Sequence, residues 1–122
     1  DAPLTVDNFL HLVQLRFFDR RRWHRVVPNF VVQDGDPRGD GSGGPGGAIR
    51  DEINPRRYDA YVVGMALSGP DTGSSQWFIT LSPQPHLNGT YTVFGRVVAG
   101  VTDLLAITQG DPIESIRGRS SP

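Results

Sequence analysis

WHRVVPNFVVQDGD, residues 23–36, is the stretch on which the fold turns. Read by alternation, Trp23, Arg25 and Val27 share one face of a strand, and after the Pro28-Asn29 break Val31 and Gln33 share another. The pattern predicts two strands, over about 23–27 and 30–34. An arginine in so apolar a run has two readings. It snorkels over a strand into water, or it lines a pocket whose ligand needs a fixed cation, because a half-buried guanidinium must find hydrogen-bond partners.

Outward from these strands the pattern is short and β-rich. Residues 4–15 have helical spacing, with Thr5 as the expected N-cap, Asp7 in the first turn, and Phe9, Leu12 and Val13 on the buried face. Residues 36–47 are too rich in Gly and Pro to form an element and predict a long surface loop. Further strands are expected over 62–67, 76–81, 92–98 and 112–118. A second helix is expected over 100–107, with Val101, Leu104 and Leu105 facing in. The fold class is mainly β, an antiparallel barrel or sandwich capped by two helices.

At 122 residues and 13.3 kDa the chain makes one domain, residues 1–122. Its net charge of -1 argues against nucleic acid or an anionic membrane as partner. No run approaches the ~18 apolar residues of a membrane span. The chain is expected to be soluble, with cytoplasm and export both open. There is no cysteine, which excludes a disulfide scaffold and a thiol nucleophile. All twelve basic residues are arginine, a compositional bias that suggests a GC-rich bacterial source.

Most local motifs dissolve on inspection. The Gly-rich loop lacks the ending of a P-loop, and Asp34, Asp36 and Asp40 lack the spacing of a calcium loop. Arg38-Gly39-Asp40 and the sequon Asn88-Gly89-Thr90 are short enough to arise by chance. His11, His24 and His86 lack metal-ligand spacing, so no metal is expected. Asp51 and Glu52 read as solvated charges. What remains is a set of polar residues inside apolar strands, Arg25, Gln33 and Gln76, with Phe30, Val31, Phe78, Leu87 and Tyr91 around them. Together they describe an apolar pocket with a few fixed polar groups, the make-up of a small-ligand or peptide site.

The opening stretch resembles the F-H-R-x-x-P-x-F-x-x-Q-x-G-D signature of the cyclophilins, which are peptidyl-prolyl cis/trans isomerases. MALSGPDTGSSQWFIT (65–80) and HLNGTYTVFGRVVAG (86–100) are similar to the family's second and third motifs, in the same order. APLTVDNFLHL resembles its first helix, so the likeness runs from Ala2 to about Gly118. The resemblance implies a cyclophilin-like barrel, isomerisation of Xaa-Pro bonds without a cofactor, and proline-containing peptides and unfolded proteins as partners. It implies Arg25 as the catalytic residue and Phe30, Val31, Phe78 and Leu87 as the proline pocket. Gln33 and Gln76 would support the arginine, and the backbone of Ala66 and Leu67 would pair with the peptide.

Departures from the family carry expectations of their own. His86 and Tyr91, in the peptide-binding region, stand where many members have tryptophan and histidine, so ciclosporin binding is expected to be weak or absent. Val31 replaces a common methionine and reshapes the pocket. The family's two N-terminal strands have no counterpart here. The barrel is therefore expected to be incomplete, the domain N-terminally truncated, and the open edges prone to self-association. Two rivals stand beside the enzyme: a proline-peptide binding module without turnover, and a structural domain of a larger protein.

Overall fold

A computed structural model of the chain describes residues 2–35, 48–67, 73 and 75–118. Five strands form one antiparallel sheet: β1 (Arg25–Val27), β2 (Val31–Asp34), β3 (Val62–Met65), β4 (Trp77–Thr80) and β5 (Val93–Arg96), in the order β1-β2-β4-β3-β5. The expected barrel does not close among the described residues, and β1 and β5 are left at the two edges. Two helices, α1 (Pro3–Gln14) and α2 (Val101–Leu105), complete the regular structure with a 3₁₀ helix at Pro85–Leu87 that the sequence reading did not anticipate. The expected loop over 36–47 lies outside the described residues.

The sheet is apolar on both faces. On one face Val32, Trp77 and Ile79 pack with Leu12 and Val13 of α1 and Leu104 of α2, and Phe18, Trp23 and Ile113 close the cluster. On the other, Val31, Val62 and Phe78 pack with Tyr58 and Leu87. The two-residue period of a strand assigns Val32 to the first cluster and Val31 to the second. Trp23 departs from the expected face. It precedes β1, bonds through its backbone to Gly110 and Asp111, and joins the helix-side core instead of sharing a face with Arg25.

The start of α1 corrects two readings. Pro3 opens the helix, where its missing N–H costs nothing, and Thr5 lies inside it, fully buried. The cap comes from elsewhere in the chain. The Glu52 carboxylate accepts hydrogen bonds from the Leu4 N–H (3.1 Å), the Thr5 N–H and the Thr5 hydroxyl (2.8 Å), so Glu52 is no free surface charge. At the other end Arg16 takes φ +58. The Arg16 N–H reaches the Val13 carbonyl and the Phe17 N–H the Leu12 carbonyl, a Schellman ending with arginine where glycine is usual.

Two further expectations fail at the C-terminal side. In α2 Leu104 is buried but Leu105 is 57% exposed, because so short a helix turns only a narrow face inward. The expected strand over 112–118 reduces to one bridge, Arg22 with Pro112, flanked by bonds between Arg20, Arg21 and Ile113. Pro112 has no N–H to extend a ladder. The segment is fastened by its side chains: Ile113 is buried, and Arg117 forms a two-pronged ion pair with Asp19, 2.9 Å on each prong.

Candidate active site

The register of the sheet aligns one row of side chains across four strands. Arg25 pairs with Gln33, Gln33 with Phe78, and Phe78 with Gly64. Directly paired residues project to the same face, so the row runs cation, amide, aromatic ring, and a position without a side chain. The β1–β2 turn shapes its near end. Pro28 presets the first turn residue, Asn29 takes φ +62, and Phe30 N–H bonds to the Val27 carbonyl. That turn brings the Phe30 ring under the guanidinium, with Arg25 Cζ 5.5 Å from the ring centroid.

A cavity of about 150 Å³ opens over this row. Arg25, Phe30, Val31, Gln33, Ala66, Leu67, Phe78, Leu87 and Tyr91 line it, nine of the eleven residues singled out in the sequence. The other two stand behind the lining. Gln76 accepts a hydrogen bond from the Gln33 side-chain amide at 3.0 Å, and His86 stacks on Phe30 with centroids 5.9 Å apart. The Gln33 carbonyl oxygen in turn lies 3.5 Å from Arg25 Nη1. An amide chain thus runs Gln76, Gln33, Arg25, each link biasing the rotamer of the next.

Ala66 qualifies its expected role. Its N–H already donates to the Gln76 carbonyl at 3.0 Å, so that donor is committed within the sheet. No group of three or more metal-binding side chains occurs among the described residues. The cavity itself offers one exposed guanidinium beside the Gln33 amide and the aromatic rings of Phe30, Phe78 and Tyr91. A larger concavity, about 880 Å³, lies along β5 between Val6, Arg57 and Arg96 and contains none of the expected site residues.

Comparison with known proteins decides what this arrangement belongs to. The family described as cyclophilin type peptidyl-prolyl cis-trans isomerase/CLD matches residues 1–119. The chain belongs to the cyclophilins. It is 47% identical over 118 residues to peptidyl-prolyl cis-trans isomerase B of Bacillus subtilis, covering 95% of this chain and 82% of that protein. It is 43% identical to a peptidyl-prolyl cis-trans isomerase of Helicobacter pylori, covering 99% of this chain and 77% of that one. A crystal structure of a Cryptosporidium parvum cyclophilin superposes with a TM-score of 0.89 at 34% identity, covering 99% of this chain and 86% of that one. The same Cryptosporidium protein in the presence of the dipeptide Ala-Pro superposes at 0.82, over 92% of this chain and 79% of that one. The five-stranded sheet is thus the cyclophilin fold, and the activity of this cyclophilin is peptidyl-prolyl cis-trans isomerisation.

One residue of the site escaped the sequence reading. Tyr58, 1% exposed, stacks beneath Phe78 with centroids 5.5 Å apart. Its signal was indirect: a glycine, Gly64, inside the bulky strand VVGM, the usual mark of another group approaching the backbone closely.

Proposed function

We propose that the 150 Å³ cavity seats the proline ring of a substrate and that Arg25 is the catalytic residue. The observation that carries this is the cross-strand row, which sets a guanidinium at the rim of a cavity lined by Phe30, Val31, Phe78 and Leu87 with an amide braced beside it. The Cryptosporidium relative studied with Ala-Pro supports proline as the occupant. An Xaa-Pro amide resists rotation by ~18–20 kcal/mol because resonance flattens it. When it twists, conjugation is lost and the nitrogen lone pair localises. A guanidinium that donates to that nitrogen, or to the carbonyl beside it, binds the twisted amide more tightly than the planar one, and only such differential binding speeds rotation. Each ~1.4 kcal/mol of it is worth about tenfold. Arginine suits the task because it keeps its charge when partly desolvated. No bond is broken, so the residues named suffice.

The partners follow the same reading. Phe30, Val31, Phe78 and Leu87 grip the ring, and the backbone of Ala66 and Leu67 pairs with the peptide. His86 is engaged in stacking on Phe30, and Tyr91 supplies no imidazole to the rim, which supports weak or absent ciclosporin binding. Unfolded proteins with accessible prolines are the natural substrates, and the open β1 and β5 edges favour self-association.

The test is NMR exchange between cis and trans forms of a short Xaa-Pro peptide. The chain should accelerate exchange, and Arg25→Ala should lower the saturated rate by about 10²-fold while peptide still binds. An Arg25→Ala variant as fast as the parent would exclude the guanidinium from catalysis. Peptide binding without acceleration by the parent chain would favour the binding module, and neither effect would favour the structural domain.

A further inference from the structure

Gly64 stands on β3, an inner strand of the sheet, directly opposite Phe78 of β4. A Cβ there would lie 2.2 Å from Tyr58 Oη and 2.6 Å from Phe78 Cζ. The missing side chain is therefore replaced by one from outside the sheet: the phenol of Tyr58 fills the gap.

Tyr58 is tied to the pocket at four points. Its ring stacks on Phe78, 28° from parallel, and Phe78 meets Tyr91 edge-on at 6.0 Å. Its hydroxyl donates to the Tyr91 carbonyl at 3.0 Å. Its N–H donates to Asn88 Oδ1 at 2.7 Å, and its carbonyl accepts from the Gln84 N–H at 2.8 Å. Phe78 is the floor of the cavity. Residues 84–91 are its wall, bearing Leu87 and Tyr91, and no strand supports them. Tyr58 thus holds the wall near its start, middle and end, while the Gln84 amide on the Asn29 carbonyl and the His86 stack on Phe30 hold its first turn from the other side. Burial, with Tyr91 nearby, holds the Tyr58 hydroxyl protonated far above the usual tyrosine range, so it donates at every working pH.

We propose that Tyr58 is a positioning residue of the isomerase: it sets the spacing between the floor and the wall of the proline pocket, and Gly64 is a glycine in order to admit it. This rests on the reading of the cavity as the proline pocket. Floor and wall hold the ring alike whether the amide is planar or twisted. Loosening them removes uniform binding, which lowers affinity and leaves the saturated rate in place. A merely structural role would lower the melting temperature without changing the affinity of the folded protein.

The experiment titrates an Xaa-Pro peptide into the full chain and into Tyr58→Phe, reading Kd from shift changes and the exchange rate at saturation. Tyr58→Phe should weaken binding by about 3–10-fold with the saturated rate within about twofold, the reverse of the Arg25→Ala pattern. Asn88→Ala keeps the phenol but releases the middle of the wall, and should weaken binding in the same sense. It decides the matter alone should Tyr58→Phe not fold. Unchanged affinity in the folded variants overturns the role of Tyr58, whatever the melting temperature does. If peptide leaves the Phe78 and Leu87 resonances of the parent chain unmoved, the pocket itself is misassigned and the proposal falls with it.

Discussion

Gln33 shows how much a single residue of this site depends on its neighbours. Its amide has two ends, and both are committed: the nitrogen donates to Gln76 and the oxygen faces Arg25. Gln33→Leu preserves the volume but leaves the guanidinium without its brace. The expected outcome is a saturated exchange rate about tenfold lower, ~1.4 kcal/mol in the barrier, with peptide affinity nearly unchanged. A rate equal to the parent's in the NMR exchange assay would show that the Phe30 ring alone orients Arg25. Arg25, Gln33 and Gln76 were legible in the sequence because a polar residue inside an apolar strand asks for a reason. Tyr58 was not. It lies between Arg57 and Asp59 in a segment without periodicity, and its importance comes from a side chain that Gly64 lacks.

Elements, too, are completed from a distance. The first turn of α1 has exposed N–H groups that no neighbouring side chain caps, and Glu52, 47 residues along the chain, supplies the acceptor for Thr5. The Glu52 N–H is itself held by the Thr92 hydroxyl at 2.9 Å, which links the helix start to the beginning of β5. Partial burial acts to raise the Glu52 pKa. The bonds from Thr5 and Leu4, with Arg50 nearby, outweigh it, and the net shift is downward from 4.5. A lowered carboxyl pKa means the folded state binds the proton less well than the unfolded chain. The cap's contribution is then full above the unfolded value and is lost as pH falls through the folded one. Melting temperature should therefore drop on acidification below about pH 4.5, the starting value of that shift. Glu52→Gln should cost about 1 kcal/mol at neutral pH and flatten that acid limb. An acid limb as steep as the parent's would assign the effect to other carboxylates. The sequence pointed to Thr5 as the cap because capping rules are local, and the competitor that won is tertiary.

At the scale of the whole molecule the sheet has two faces and two edges, and they differ in how they are satisfied. Both faces are packed. The β5 edge borders the large concavity, whose walls include Val6, Val62 and Phe94 with Arg56, Arg57 and Arg96. Asn54 already caps the Val93 carbonyl at 3.0 Å, but a strand edge beside apolar side chains still favours pairing with another copy, while like arginines oppose it until salt screens them. Sedimentation should show apparent mass rising with concentration, and more steeply at high ionic strength. A strict monomer with a sharp melt at high concentration would count against it. By itself the sequence determined where the two helices and the five strands of the sheet lie, the alternation that sends Val32 to one core and Val31 to the other, and the family motifs that name the reaction. These are signals of short range, carried by neighbouring residues, so periodicity and motif suffice to read them. Only the tertiary structure decided that 112–118 is held by one bridge and an ion pair, that Glu52 caps a helix, that the sheet stays open among the described residues, and that Tyr58 fills the space left by Gly64. Each of those depends on which distant segments meet: Gly64 marks a close approach but does not say which residue makes it.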